Sequence, residues 1–330
     1  MKAGEILFLN GDEIRSVLTM KSVVETCDDV IKWIGEGKVE QEHVPPIRNF
    51  FEERRRSMVL PHPAFVKPLN VVGNKWGGGS DINFEKGFPW GTAEITLNDP
   101  ITMRPFAIMD GTEITTLRTA GHAAIGAKYL ARKDSEVISI LGCGFIGHAH
   151  LSAMTELFKI KEVRVFDIKK EKAKEFAQTM GKKYNVTIKP LDSVQEAVKG
   201  AHIICMATTS TEPILMEEWI DPGCHVAAIY AFIDLDPKFS KKADKWVLGN
   251  WERDSAWIEK PALPWVPKLD KKDVYADLSE IAVGKKPGRE RKAERTVVSH
   301  LGMGAFDIAV GYQAYKLAVE KGLGKNLTLF

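Results

Sequence analysis

What this chain lacks narrows its functions before any motif is considered. Cysteine is scarce: Cys27, Cys143, Cys205 and Cys224 are the only four in 330 residues, scattered without a Cys-x-x-Cys pair or a local histidine cluster. That spacing excludes a disulfide framework and a local zinc site, so the thiols are expected to be reduced, buried and free of metal. Charge of one sign is also missing. Lysine plus arginine number 46 against 44 aspartates and glutamates, a formal excess of +2, which argues against a charge-driven nucleic-acid binder and leaves only local basic patches. The longest apolar run, residues 226–233, holds eight residues, where a spanning helix needs roughly 20. The N-terminal MKAGEILFLNGDEIRS carries a charged or turn residue every few positions, so no membrane partner is expected and the chain reads as cytoplasmic. A composition of 44% hydrophobic and 27% charged residues, with 16 prolines, leaves little room for long disorder. The length suits one large domain or two ordinary ones.

What is present changes texture along the chain. Residues 21–36 place Val24, Cys27, Ile31 and Ile34 at helical spacing, which predicts an amphipathic helix. After Pro45-Pro46 and the charged run 52–56 come short strand-like runs separated by glycine-rich turns, including VVGNKWGGGSD. GTAEITLND and FAIMD suit strands of a sheet not assembled from βαβ units. Beyond residue 120 a helix over 123–130 leads into VISIL, then GCGFIG, then a helical pattern of Leu151, Met154, Leu157 and Phe158. VRVFD, a charged helix over 170–182, and the apolar runs AHIICMAT, HVAAIYAF and KWVLGN follow. Strands and helices alternating in this way predict a parallel sheet covered on both faces. Residues 251–270, with three tryptophans and three prolines, are expected to form an irregular covering segment, and a last helix is expected over 305–320.

The sharpest motif is Gly142, Gly144 and Gly147, with Phe145 and Ile146 between them, after a strand and before a helix; Asp167 closes the next strand, 25 residues after Gly142. This order is a dinucleotide-binding fingerprint. The first glycine makes the turn, the second admits a pyrophosphate to bare backbone, and the third lets helix and strand pack closely. Asp167 would accept from the adenine ribose hydroxyls and repel a 2′-phosphate, favouring NAD, with NADP the alternative. Lys169 and Lys170 either soften that discrimination or form a solvated pair. Ala207, Thr208 and Thr209, just past a strand end, either line the nicotinamide side or precede a helix capped by Thr209 or Ser210. The fold class is therefore α/β, a Rossmann-type nucleotide-binding domain joined to a mixed α+β domain.

The series VPPIR, RRRSMVLP, GNKWGG, FAIMDGTEITTLRTAG, AKYLARKDSEVISILGCGFIG, VYADLSEIAVGKKPGR and LGMGAFDIAV resembles the ornithine cyclodeaminase and mu-crystallin family over nearly the whole chain. The resemblance implies a discontinuous substrate-binding and dimerisation domain, residues 1–120 and 303–330, around an NAD-binding domain, 121–302, in a homodimer. It implies that Lys75 is the active-site lysine, that Arg118 holds the substrate carboxylate, and that Arg48 is a second carboxylate-binding arginine. A planar guanidinium grips a carboxylate bidentately, which suits these roles. Arg54, Arg55 and Arg56 are read as a solvated turn, with Arg56 the one able to reach the site, and Glu280 as structural support. Where cyclodeaminases of this family place an aspartate for the substrate's side-chain amine, this chain has Phe232, with Asp234 shortly after. The resemblance thus implies an NAD-dependent oxidoreductase at the C–N centre of a small amino, imino or oxo acid. The alternatives are ammonia-releasing cyclisation of ornithine, and a non-catalytic ligand-binding protein whose pocket is built from Phe88, Phe232 and the tryptophans at 246, 251, 257 and 265.

Overall fold

Residues 55–98 are rich in glycine and β-branched side chains, and there the chain runs as long antiparallel strands. The computed structural model describes residues 4–41, 47–51, 55–229, 233–259, 266 and 268–329; the side chains of 47–51, 55, 56, 84, 256 and 257 are outside that description. Backbone packing divides the chain into two units, Met1–Arg118 with Gly302–Phe330, and Thr119–Leu301.

The first unit contains β1 (Glu5–Leu9), α1 (Gly11–Val17), α2 (Met20–Gly35), β2 (Val39–Gln41), β3 (Ile47–Phe51), β4 (Arg55–Val66), β5 (Val71–Ser80), β6 (Gly91–Asn98) and β7 (Pro105–Asp110). It is completed from the far end of the chain by α9 (Gly304–Glu320) and β16 (Lys325–Thr328). The sheet order is β16-β1-β7-β6-β5-β4-β2, with β3 also paired to β4. All pairs are antiparallel except β1 with β7. Helix α9 packs across β4, β5 and β6 and against α1 and α2, burying Ile14, Ile31, Ile95, Leu97 and Ile308 between them. VVGNKWGGGSD, expected to contain turns, is instead the continuous strand β5. Its glycines serve close approach rather than reversal: a Cβ on Gly73 would stand 2.6 Å from Ile308 Cδ1 of α9. Arg55 and Arg56 likewise lie on β4 and not in a turn, while Arg54 is outside the described residues.

Helix α3 (Gly111–Leu130) begins twelve residues before the expected helix at 123. Its start is set by Asp110, whose Oδ1 accepts the backbone N–H groups of Thr112 and Glu113. That satisfies donors that the first turn would otherwise leave open and outweighs the threonines' weak helix propensity.

The second unit contains β8 (Val137–Leu141), α4 (Phe145–Leu157), β9 (Glu162–Phe166), α5 (Lys170–Tyr184), β10 (Thr187–Pro190), α6 (Val194–Val198), β11 (Ile203–Met206), β12 (His225–Ile229), β13 (Lys245–Leu248), α7 (Trp251–Ile258), β14 (Ala276–Asp277), α8 (Leu278–Ala282) and β15 (Thr296–His300). Its sheet is wholly parallel, in the order β10-β9-β8-β11-β12-β15-β13-β14. The chain runs outward from β8 in one direction and then returns to β11 on its other side. The reversal therefore falls between β8 and β11, where ligands of such sheets bind. The irregular segment expected from 251 is an α-helix to Ile258, because Asn250 Oδ1 accepts the Arg253 N–H at 3.0 Å and nucleates α7; the prolines begin only at Pro261. Trp246 is core, 3% exposed among Leu248, Phe239 and Val297, with Trp251 packed against the same cluster. Trp257 and Trp265 are outside the side-chain description. All four cysteines are free and buried, and burial pushes the Cys205 and Cys224 thiols up to about 12, which makes them poor nucleophiles at neutral pH.

Candidate active site

In the first unit, three strongly polar side chains meet inside an apolar core. Lys75 projects from β5, Arg118 from α3 and Asp307 from the first turn of α9. Asp307 Oδ2 lies 2.9 Å from Lys75 Nζ, and its Oδ1 accepts from Arg118 Nε at 2.8 Å. Lys75 and Arg118 are each 4% exposed and Asp307 is fully buried. Burial alone would raise the Asp307 carboxyl, but the charges of Arg118, Lys75 and His62 outweigh it and hold the group below its ordinary range. His62 faces Lys75 directly across β4 and β5. Room for the guanidinium comes from Gly302: a Cβ there would overlap it, with Arg118 Nη1 at 2.8 Å.

Two buried cations share one carboxylate. An ammonium and a guanidinium fixed side by side can each form charge-assisted hydrogen bonds to an anion. Sequence reasoning singled out Lys75 and Arg118 and missed Asp307. The available signal was a lone carboxylate in an otherwise apolar helix start, GMGAFDIAV. Arg48 lies on β3 opposite Met58, and its side chain is outside the described residues.

In the second unit the glycine loop has the geometry a dinucleotide requires. Gly142 adopts φ +98°, in the left-handed region, and a Cβ on it would stand 2.5 Å from the Ala207 carbonyl oxygen. The loops after β8 and β11 touch here, with Ala207 N donating to Leu141 O at 2.8 Å. A Cβ on Gly147 would collide with the Gly142 carbonyl, whereas one on Gly144 would meet no protein atom within 4 Å. Gly144 is the N-cap of α4 and offers no capping side chain. The helix's first N–H groups and the positive end of its dipole are thus left to an anion. Phe145 is exposed and Ile146 half-buried in that first turn. Asp167 is fixed beside the loop: Oδ2 accepts the Cys143 N–H and Oδ1 the Lys169 N–H, both at 2.9 Å. Lys170 is occupied by Asp192 at the surface.

No helix follows Ala207, Thr208 and Thr209, so neither Thr209 nor Ser210 caps one. Thr208 Oγ1 instead donates to Asp234 Oδ2 at 2.7 Å and accepts the Ser210 N–H at 3.1 Å. Burial raises the Asp234 carboxyl to about 6 against the opposing hydrogen bond from Thr208. Phe232 lies outside the described residues. Glu280 closes the cap of α8, its Oε2 accepting the Asp277 N–H at 3.0 Å.

An all-parallel sheet with this loop at its reversal defines a dinucleotide-binding protein of the dehydrogenase and reductase class. Comparison with known proteins refines that class. The sequence profile of the ornithine cyclodeaminase/mu-crystallin family matches residues 5–322, and the chain belongs to that family. It is 36% identical to the ketimine reductase mu-crystallin of Rattus norvegicus over 314 residues, 93% of this chain and 96% of the relative. Among solved structures, it is similar to Thermococcus litoralis Δ1-pyrroline-2-carboxylate reductase in complex with NADH and L-proline, at 31% identity and TM-score 0.89, covering 98% of this chain and 100% of the other. It is also similar to an archaeal alanine dehydrogenase dimer with bound NAD, at 29% identity and TM-score 0.86, covering 99% and 100%.

Proposed function

We infer that the protein is an NAD-dependent oxidoreductase acting at the C–N centre of an amino acid and its imino or oxo counterpart. It reduces an α-imino acid, or reductively aminates a 2-oxo acid, and in reverse oxidises an L-amino acid. The observation that carries this reading is Asp307 holding Lys75 and Arg118 side by side: an ammonium and a guanidinium fixed together suit a small carboxylate. Arg118 fixes the carboxylate's orientation. Lys75 holds a proton at Nζ beside Asp307, where it can hydrogen-bond the substrate and relay that proton, and Arg48 adds a second cation for the carboxylate. Gly142, Gly144, Phe145, Ile146 and Gly147 would cradle the pyrophosphate of NAD, Asp167 the adenine ribose, and Ala207, Thr208 and Thr209 the nicotinamide side. When bound, NAD supplies the hydride-transfer chemistry.

These assignments make residues 1–120 and 303–330 the substrate and dimerisation domain and 121–302 the NAD domain. The dimeric archaeal relative supports a homodimer. Among the described residues no helix is long and apolar enough to cross a membrane. The cyclisation alternative needs a carboxylate for a second amine, and Asp234 is buried and bonded to Thr208. The ligand-binding alternative loses Trp246 to the core.

The test is a spectrophotometric panel: 2-oxo acids with ammonia or methylamine, and preformed cyclic imino acids, each read with NADH and with NADPH. Net NADH oxidation by at least one substrate is expected. Release of ammonia from ornithine without net cofactor change, or activity with NADPH alone, overturns the reading or its cofactor assignment respectively.

A further inference from the structure

Lys75 is shut away from water: it is 4% exposed, and the carboxylate beside it belongs to the fully buried Asp307. A lysine that gives a proton to a substrate nitrogen in such a place has to recover that proton from solvent before the next turnover. Arg118, the other cation on Asp307, does not supply it, since a guanidinium keeps its protons at any working pH. Cys27 of α2 borders the same groups, but burial pushes its thiol far above neutrality.

The remaining titratable side chain beside the cluster, among the described residues, is His62. On β4 it stands directly opposite Lys75 of β5 in an antiparallel pair, which puts both side chains on one face of the sheet with their Cβ atoms about 5 Å apart. That face is the one α9 covers, because Gly73, two residues from Lys75, meets Ile308 of the helix. Against burial, which would raise the Asp307 carboxyl, His62 acts with Arg118 and Lys75 to hold it below its ordinary range, so the imidazole lies within electrostatic reach of Asp307 as well.

The backbone carrying the ring is held from several sides. Pro61 and Pro63 flank it with fixed φ angles. The His62 N–H donates to Asn74 Oδ1 at 3.0 Å. Helix α9 begins against the His62 carbonyl, where a Cβ on Gly304 would stand 2.5 Å from the oxygen, and Asp307 is the helical neighbour three residues on. His62 is half-buried, so it has a contact with water that Lys75, Arg118 and Asp307 lack.

We propose that His62 is the proton-relay residue of the Lys75 site, carrying protons between solvent and the lysine and acting on the substrate only through it. The proposal rests on the redox reading above. Reducing an imino acid adds a hydride at the α-carbon and one proton at nitrogen. Lys75 Nζ gives that proton and becomes a neutral amine, the His62 imidazolium reprotonates the amine, and the neutral imidazole takes a proton from water; oxidation of an amino acid reverses each transfer. An imidazole suits the task because it gains and loses its proton between about pH 5 and 8.

Two measurements on the full chain test this. In steady-state assays with NADH and a preformed cyclic imino acid, His62→Gln should lower kcat roughly 100-fold and change KM less than about threefold. Added imidazole should raise kcat of His62→Ala about tenfold or more, most strongly at low pH where imidazolium is the donor, a response that a merely structural histidine would not give. The second measurement needs no turnover: an NMR titration of protein labelled at its eight histidines, with the His62 signal identified by its loss from either variant. Lys75→Met removes a neighbouring cation and should raise the His62 midpoint by roughly one pH unit, and Asp307→Asn removes an anion and should lower it by about as much. A kcat for His62→Gln within about threefold of wild type, a loss confined to KM, no response to imidazole, or a His62 midpoint unmoved by Lys75→Met overturns the proposal. Circular dichroism identifies a variant that has failed to fold; if that is His62→Ala, the kcat of His62→Gln and the titration decide the matter. Absence of NADH turnover by wild type with every substrate would sink the redox reading instead, while the midpoint shifts would still decide whether His62 is coupled to the lysine.

Discussion

Replacing Asp307 by asparagine keeps the side chain's shape and removes one charge from the middle of the Lys75–Asp307–Arg118 cluster. With all three groups at most 4% exposed, solvent screens them little. At an effective dielectric constant of 20, a unit charge pair at 2.9 Å attracts by roughly 6 kcal/mol. Desolvation of the ions offsets much of that, so the net cost of removing one partner of a buried pair is about 3–5 kcal/mol. The asparagine carbonyl can still accept from Arg118 Nε, but its amide NH2 then faces the Lys75 ammonium, donor against donor. For a unit of this size that loss lowers Tm by roughly 10 °C. The charge argument also predicts a rescue. A small carboxylate at 100 times its Kd for Asp307→Asn should stabilise that variant by about 2.7 kcal/mol, and at the same concentration should stabilise wild type by less. Lys75→Met combined with Asp307→Asn should recover much of the loss by removing the cation that faced the lost carboxylate. Urea titration with and without L-proline or acetate reads all of this. A variant within about 1 kcal/mol of wild type, where surface-like pairs fall, or a loss that neither the carboxylate nor the lysine replacement relieves, would refute the charge balance assigned to the cluster.

Other outcomes follow from neighbouring geometry. Gly302→Ala places a methyl where the Arg118 guanidinium now lies and should reduce kcat/KM on the order of 10–100-fold while the protein stays folded, as read by steady-state kinetics and circular dichroism. In the second unit, burial pushes Asp254 up to about 7. Its folded-state value exceeds its unfolded one, so its contribution is full below the ordinary carboxylate range and declines as pH rises toward 7. Asp254→Asn should therefore flatten the fall in urea midpoint between about pH 4 and 7; an unchanged slope would contradict the assignment.

The second unit was legible from sequence because each βαβ step is local: VISIL, the glycines, the following helix and Asp167 stand within one short stretch. Its failures were of the same local kind. TVVSH, which forms β15 between β12 and β13, is short, is preceded only by the five-residue α8 and arrives after a charged loop, so nothing nearby marks it as central. In the first unit, β5 misled because glycine usually signals turns, while here Gly73 and Gly79 admit an isoleucine and an indole from elsewhere in the chain. Lys75 and Arg118 were reached through family resemblance. Asp307 was not, because its partner Arg118 lies 189 residues away and no local pattern betrays a carboxylate whose purpose is tertiary.

That separation also bears on how the molecule is made. The second unit is one uninterrupted stretch, Thr119–Leu301, and every strand of its sheet is synthesised before α9. The first unit has to wait. Until Gly304–Glu320 and β16 emerge, the nascent chain carries Lys75 and Arg118 without the carboxylate that balances them, β1 without its antiparallel neighbour, and β4–β6 without the helix that covers them. Those last residues act as a completion signal: a ribosome that stops short of them releases a chain with one finished unit and one that has no stable way to close its core.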